Sequence, residues 1–550
     1  MYVLFMVFDH FVWKPQREEQ LARKNQVSQT QTEPVQPAQP DTVKTTTPLI
    51  SSTVLDSIYR QSSVQSDSIV LENDLVKITF SNRGAEIKQV ELKKFQRRDG
   101  SNATLIPNKE TESSLAGTRI FHSTDETHLQ NLLFDHKLEA GNRLVFELYP
   151  ITAPSNSGEV PQSEAIITKT YTLGQDYALD FRFIANAVSE LRPIYGIELD
   201  FGSGIADTEQ NLKNKATDYR FLTTFGTKLY KQEMRKLTKQ AVDYKPASFE
   251  FAAIKSKYFC LAAQEIAPKS TQNIHAYMNK EVQSPAFYID SRQRDPKQRW
   301  EQQFRLYLGP VDHSVLEQYG LEKIAERGKW LGWLANIFAW VLRFLHGLIP
   351  NYGIVIIIFS ILLKLILHPV SHKQLDASMK MQKIQPQLRA LQQQYKNDLV
   401  KLRAEQSRLY KENGVSPLSG CLPLLLQMPI FFSLYSVLRS SLDMRNAHFV
   451  GWIKDLSEPD PYLVLPILMG GFMIIQSLMM RPPTEDIDQM DDKQKAQVQS
   501  QKMMTWLMPI VFFFVFRNMP AGLVLYWTVF NVLSILQQYY LQKRMKNRTI

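Results

Sequence analysis

The chain is 550 residues long with a formal net charge of +10, which leaves room for about three or four domain-sized units. Its 44% apolar and 21% charged residues are ordinary for a globular protein, and a mean hydropathy of −0.24 excludes a chain built of membrane spans from end to end. Only 22 residues are glycine, which excludes collagen-like and glycine-rich classes, and the two cysteines, Cys260 and Cys421, are too few for a disulfide scaffold or a cysteine-based zinc site. The averages hide a split: residues 1–325 read as soluble protein, whereas much of 330–541 consists of long apolar runs.

Tyr2–Trp13 is apolar except for Asp9 and His10. As a helix it covers only about 18 Å, against roughly 30 Å of hydrocarbon. It has no basic segment before it and no small-residue cleavage site after it, so residues 1–13 read as the remnant of a membrane anchor rather than a signal peptide; a disordered apolar start is the alternative. Residues 14–68 are rich in Gln, Thr, Ser and Pro and cannot bury enough apolar surface to offset ordering entropy, so they form a linker.

From residue 69 to 325 the pattern has period two. Leu75–Phe80 and Glu86–Leu92 alternate around the turn residues SNRG, and Leu144–Tyr149, Ile166–Leu173, Tyr177–Ile184, Ile194–Phe201 and Gln303–Leu308 continue the pattern. Many short strands without long amphipathic helices predict an antiparallel β-sandwich domain. Its histidines, His122, His128, His136, His275 and His313, lack metal-ligand spacing and read as scattered surface residues. No GxSxG, HExxH or GxxxxGK[ST] occurs, which argues against a familiar hydrolase, a zincin and a P-loop ATPase. No cofactor is implied, and nothing suggests specific DNA binding.

Lys329–Ile349 is long enough to span, but Trp330, Trp333, Leu334, Ile337, Phe338, Val341, Leu342 and Leu345 form one stripe, interrupted by Lys329, Asn336, Arg343 and His346. Residues 326–350 therefore read as an amphipathic helix lying in the interface plane. The insertion of five spans then accounts for residues 351–541: Tyr352–Leu367, Cys421–Leu438, Tyr462–Met480, Met503–Phe516 and Ala521–Leu541. Ser371–Gly420 carries nine Lys and Arg, Arg439–Pro461 three, Arg481–Lys502 four, and the tail 542–550 four. By the positive-inside rule the first, third and fourth of these are cytoplasmic and the β domain is outside. Within 371–420, Leu388, Leu391, Tyr395, Leu399, Leu402 and Leu409 recur near heptad spacing, which predicts an antiparallel cytoplasmic hairpin turning at Lys396–Asp398. Its charge is either a solvated face or a contact surface for ribosomal RNA or anionic lipid.

Lys364 is the one formal charge inside those five spans. An intramembrane ionisable residue is a functional candidate, although one this close to a helix end also snorkels to water. Ser360 lies one turn before it on the same face, and Gln427, Gln476, Thr528, Asn531 and Ser534 add polar groups on other spans. The five spans contain no Asp or Glu, which removes the usual ion relay of a secondary transporter.

Three stretches, PLSGCLPLLLQMPIFFSLY (Pro417–Tyr435), WIKDLSEPDPYLVLPILMG (Trp452–Gly470) and PAGLVLYWTVFNVLSILQQ (Pro520–Gln538), resemble the YidC/Oxa/Alb family of membrane-protein insertases, in order across the whole membrane half. The β domain looks like the periplasmic domain of its Gram-negative members. The resemblance implies a polytopic α-helical membrane protein, with a five-span insertase core plus N-terminal anchor and a large periplasmic antiparallel β-sandwich, in the bacterial inner membrane. It implies a non-enzymatic insertase and membrane chaperone whose partners are nascent membrane proteins, the ribosome, the Sec translocon and membrane lipids. It also implies a polar substrate groove. The groove's arginine falls at Lys364, which keeps the charge but loses the bidentate fork; its hydroxyl falls at Ser360, its glutamine at Gln427, and its aromatic pair at Tyr526 and Trp527.

Overall fold

The computed structural model describes residues 67–97, 99–106, 115–123, 126–149, 164–186, 193–209, 211–245, 249–267, 269–325, 331–395, 398–415, 422–479 and 492–546. The expected anchor 1–13, nearly all of the linker 14–68, and Cys421 lie outside these residues.

Period-two alternation becomes two facing antiparallel sheets. The ten-stranded sheet runs from the edge strand Ser68–Glu72 through Val76–Ser81, Glu86–Gln96, Leu115–Phe121, Ile194–Phe201, Ser284–Lys297 and Asn273–Asn279 to Val242–Tyr244, with two short strands attached at the side. The nine-stranded sheet runs from Lys228–Glu233 through Arg220–Phe225, Phe249–Lys255, Phe259–Ala267, Arg299–Pro310, Ala178–Asn186, Ile167–Leu173 and Arg143–Leu148 to Asp135–Glu139. Inward positions such as Val76, Ile78 and Phe80 are buried, because a pleated strand sends alternate side chains to one face. In the core Tyr171 stacks on Phe181 at 4.9 Å between ring centroids and meets the tilted ring of Phe80 at 4.8 Å. The SNRG turn is held from inside: Tyr171 donates to the Ala85 carbonyl at 2.8 Å, and fully buried Lys169 donates to the Gly84 carbonyl at 2.7 Å. All seven expected strands are present, with ends shifted by up to four residues. Strands such as Phe249–Lys255 and Phe259–Ala267 went unseen because both their faces are largely buried, which erases the alternation.

Among the described residues eight α-helices follow, here α1 (Gly332–Leu348), α2 (Tyr352–Ile366), α3 (His368–Gln394), α4 (Leu399–Glu412), α5 (Leu422–Ser440), α6 (Val464–Met479), α7 (Asp492–Phe516) and α8 (Ala521–Lys546). Helix α8 packs against α2, α5 and α6, and α1 lies against α2 and α5. Their shared core is aliphatic and aromatic, centred on Val355, Ile356, Leu434, Leu438, Met469 and Tyr526. Among the described residues only Ala521–Lys543 is by itself long and apolar enough to cross a membrane; α2 and α3 qualify together across a 64° bend, and Val464–Met479 and Thr505–Phe516 are shorter apolar helices. The 15 residues of α2 rise only about 22 Å. Helix α8 continues to Lys546, into the basic segment 542–550.

Two sequence expectations change. The stripe on α1 divides: Phe338 and Leu342 pack inward beside Ala335 and Ala339, while Trp333 and Ile337 point outward with Trp340, Phe344 and Leu348. The helix thus has an inner and an outer apolar face, separated on one side by exposed Asn336 and Arg343. The α3–α4 hairpin forms, but its small core is Ile384, Leu388 and Val415, joined by Met381, Leu409 and Tyr410. Leu399, the first residue of α4, stands 64% exposed; the expected turn residues Lys396 and Asn397 lie outside the described residues.

The loop 441–463 between α5 and α6 joins the two halves. Arg439 reaches Asp218 of the β domain at 2.8 Å, Arg445 reaches Glu209 at 2.7 Å, and Lys257 reaches Glu458 at 3.0 Å. Tyr258 donates to Ser457 Oγ at 2.8 Å and Asn211 donates to Glu458 Oε2 at 2.7 Å. Burial holds the Asp218 and Glu209 carboxyls above their ordinary range despite the arginines beside them. Such pairs set the docking register more than they add stability. The loop also caps the membrane core: the Glu458 and Leu456 carbonyls accept from the amides of Ala521 and Gly522 at the start of α8. At the start of α2, Asn351 Oδ1 accepts from Gly353 and Ile354 while its amide donates to the Phe449 carbonyl.

Gly353 is where this packing is tightest. A Cβ there would lie 1.9 Å from the Phe449 ring. Overpacking of this kind costs about 1–3 kcal/mol, so Gly353→Ala is expected to lower the thermal unfolding midpoint of the purified protein, and the Gly353→Ala/Phe449→Ala pair to recover part of the loss.

Candidate functional site

The site lies where α2 and α8 meet. An i, i+4 spacing aligns side chains along a helix face, so Tyr526, Phe530 and Ser534 form one stripe on α8. Lys364, in the last turn of α2, reaches across to it. Its ammonium donates to Ser534 Oγ at 2.8 Å and sits 4.3 Å from the centroid of the Phe530 ring. The aromatic face attracts a cation by about 0.5–2 kcal/mol, more as water is excluded. Ser534 in turn donates to the Phe530 carbonyl at 2.7 Å, so it presents an oriented lone pair to the lysine.

At the other end of the stripe, Gln427 Nε2 of α5 donates to the Tyr526 hydroxyl at 3.0 Å. Tyr526 is fully buried, Gln427 is half-buried, and Phe530, Ser534 and Lys364 are half-buried too. The stripe is therefore closed at the start of α8, where Leu523 and Val524 are also fully buried, and opens toward its C-terminal half. Buried side-chain atoms nearby, Asn531 Nδ2, Gln538 Oε1 and Ser433 Oγ, have no hydrogen-bond partner among the described residues. An unmet buried polar group costs about 1–3 kcal/mol, so this interior suits a polar guest better than lipid tails.

Of the five residues proposed from sequence, Lys364 lies on this stripe, Tyr526 forms part of it, and Gln427 joins it through Tyr526. Ser360 does not: it is fully buried and its hydroxyl turns back to the Ile356 carbonyl at 2.6 Å. Trp527 faces a neighbouring aromatic cluster with Phe431, Phe512 and Phe516, its ring centroid 5.3–6.0 Å from theirs. Phe530 was not singled out beforehand; its i, i+4 relation to both Tyr526 and Ser534 was the available signal.

Among the described residues no group of three or more His, Cys, Asp or Glu is arranged to hold a metal. His122 meets Thr127, His128 meets Glu126, and His275 meets Asp243. Cys260 is fully buried and its thiol is pushed up to about 12 by that burial, which leaves it inert.

A helical core with a half-open polar stripe, docked on a β sandwich through Arg439 of α5 and the α5–α6 loop, is the architecture the chain presents. Residues 344–548 match the family described as 60Kd inner membrane protein, and residues 68–341 match the YidC periplasmic domain. The membrane protein insertase YidC of Geotalea uraniireducens is 31% identical over 97% of this chain and 96% of that relative, and that of Geobacter sulfurreducens is 32% identical over 85% and 84%. A crystal structure of an active YidC insertase, with its first transmembrane domain resolved, aligns over 89% of this chain and 96% of that one, at 16% identity and a TM-score of 0.37. The chain belongs to the YidC family of membrane protein insertases. That membership places its helical core in the bacterial inner membrane and its sandwich in the periplasm.

The Gln427–Tyr526 bond gives a direct test of the closed end. Tyr526→Phe leaves the Gln427 amide facing apolar surroundings, at a cost of about 1–3 kcal/mol. The expected result is a lower unfolding midpoint of the purified protein, and a smaller drop when Tyr526→Phe is made in a Gln427→Ala background.

Proposed function

We propose that the stripe of Lys364, Ser534, Phe530, Tyr526 and Gln427 is a transient receptor for the polar tail of a nascent membrane protein. The observation that carries the reading is the contact of Lys364 with Ser534 and Phe530 on a face that opens at one end only. A positive charge in a low-dielectric groove attracts an acidic tail far more strongly than it does in water. The tail enters from the open, cytoplasmic side, and the adjoining hydrophobic segment slides into lipid. Apolar burial at roughly 25 cal/mol per Å² drives that step, so no nucleotide hydrolysis is needed. Helices as short as α2 favour local thinning of the bilayer, which shortens the polar tail's path. The same surface serves as a membrane chaperone for segments that arrive through the Sec translocon. The cationic α3–α4 hairpin and the basic end of α8 face the cytoplasm and meet the ribosome or anionic lipid.

Replacement of Lys364 separates this reading from a lysine that merely snorkels. Lys364→Arg is expected to preserve insertion, Lys364→Ala to impair substrates with acidic tails, and Lys364→Glu to be worst, with neutral-tail substrates less affected throughout. Complementation of a depleted strain, with variant abundance measured alongside insertion, reads this out. Equal activity of the alanine variant on matched acidic and neutral tails would remove Lys364 from the mechanism.

Orientation has its own test. A single cysteine at position 401, in α4, is expected to react with a membrane-impermeant thiol reagent only after the inner membrane is opened, while one at the exposed Lys231 reacts in intact spheroplasts. Labelling of position 401 from the periplasm would overturn the assignment.

A further inference from the structure

A cavity of about 750 Å³ lies where three parts of the chain meet: the β domain at Arg97, Asp99, Asp207 and Lys213, the α5–α6 loop at Arg445, Lys454 and Glu458, and the α7–α8 turn at Arg517 and Asn518. Its place follows from the way the polar stripe is closed. The α7–α8 turn leads into Ala521, whose amide donates to the Glu458 carbonyl at 2.7 Å, and Glu458 is part of the cavity wall. The cavity therefore lies on the β-domain side of the closed end, whereas Lys364 meets α8 at Ser534, toward the open end.

The wall carries six carboxylates and five cations, and the two signs are engaged unequally. Asp207 meets Lys215 at 2.7 Å, Glu209 meets Arg445 at 2.7 Å and Glu458 meets Lys257 at 3.0 Å. Asp460 accepts from the Trp452 indole at 2.9 Å and from the Leu465 amide at 2.8 Å, and Asp455 accepts from the Ser457 amide and hydroxyl. The sixth carboxylate, Asp99, is exposed and accepts from Ser101 at 2.6 Å. Of the five cations, Arg445 is paired; Arg97, Lys213, Lys454 and Arg517 form no ion pair among the described residues. Arg97 donates from Nη2 to the Asp207 carbonyl at 3.3 Å, while its buried Nε has no partner. Lys213, Lys454 and Arg517 are exposed. With Lys215 and Lys257 included, seven cations stand against six carboxylates, and the exposed charges of the wall are three cations against Asp99.

We infer that this cavity receives an acidic peptide segment of the nascent chain once it has passed the closed end of the stripe. The inference rests on the reading of the Lys364 stripe as the receptor on the entry side. A tail held at Lys364 alone would give up that attraction on leaving with nothing in exchange; exposed cations beyond the closed end supply the exchange. Lys213, Lys454 and Arg517 answer carboxylate side chains, while the unpartnered Nε of Arg97 and the side-chain amide of Asn518 donate equally well to carboxylates and to peptide carbonyls. Exposed charges are screened over about 8 Å at physiological salt, so the hold is weaker than in the groove, as transit requires. A lipid headgroup or a free phosphate shares the anion chemistry, but an insertase delivers peptide to this side of the membrane.

The test uses the full-length protein in nanodiscs of zwitterionic lipid and a fluorescent peptide rich in aspartate, beside a matched peptide with asparagine in its place. Binding is measured in the parent and in Lys364→Ala, which removes the groove's charge. In both, the aspartate peptide is expected to bind more tightly than the asparagine peptide, with an affinity that falls as salt is added. An exposed ion pair contributes about a threefold factor, so Lys213→Gln/Lys454→Gln should weaken the aspartate peptide about tenfold and Lys454→Gln alone about threefold. Both side chains are exposed and unpaired, so these variants should keep the parent's unfolding midpoint. The result in Lys364→Ala separates the cavity from the groove: insertion can prove independent of Lys364 while this binding persists, and the reverse. Equal binding of the two peptides, loss of aspartate-peptide binding in Lys364→Ala, or unchanged affinity in Lys213→Gln/Lys454→Gln would overturn the proposal. Displacement of the peptide by millimolar inorganic phosphate or by glycerophosphoglycerol, the water-soluble part of an anionic lipid, beyond the effect of sodium chloride at equal ionic strength would reassign the cavity to a soluble anion or a lipid headgroup and likewise overturn it.

Discussion

Much of this molecule depends on one glutamate. Glu458 accepts from Lys257 and Asn211 of the sandwich through its side chain, and from the amide of Ala521 through its carbonyl. The first of these contacts belongs to the β domain's docking and the last to the start of α8, the helix that carries the polar stripe. A helix start leaves backbone amides without intrahelical partners, and here the loop between α5 and α6 supplies them. Fixing that loop therefore fixes both where α8 begins and where the sandwich sits.

The consequences run inward from the loop. With Ala521 and Gly522 held against Leu456 and Glu458, the first turns of α8 are buried, and the polar stripe is closed there. Further along α8, half-buried Phe530 and Ser534 meet the end of α2 at Lys364. The same loop brings Phe449 against Gly353, so the start of α2 is set by the contact that sets the start of α8. Lys364 is thus positioned by packing about three helical turns away, and its ammonium needs only one hydroxyl and one aromatic ring to be placed.

The β domain is attached more firmly than a linker alone implies. Among the described residues, three ion pairs and a tyrosine hydroxyl cross the junction, and burial raises the Asp218 and Glu209 carboxyls above their ordinary range while the arginines beside them pull the other way. Such an interface is selective for one geometry, because a misaligned approach would bury those charges unpaired.

Sequence by itself determined the division into a β half and a helical half, because strand and helix periods differ and long apolar runs have no other use. It also determined that Lys364 was the charge to watch, since an ion within an apolar helix costs free energy wherever it points. The i, i+4 spacing of Ser360 and Lys364 correctly put them on one face, yet only the tertiary structure decided that Ser360 would be spent on its own helix while Ser534, 170 residues away, would receive the lysine. The heptad reading of the hairpin likewise failed at Leu399, which stands exposed at the first position of α4 and outside the small core around Leu388 and Leu409. Strands buried on both faces left no alternation to read. The docking of the sandwich on α5 and the α5–α6 loop was invisible for a related reason: Asp218, Glu209, Lys257, Arg439, Arg445 and Glu458 look like ordinary surface charges along the chain, and their pairing exists only once the two halves dock and bring each pair to 2.7–3.0 Å.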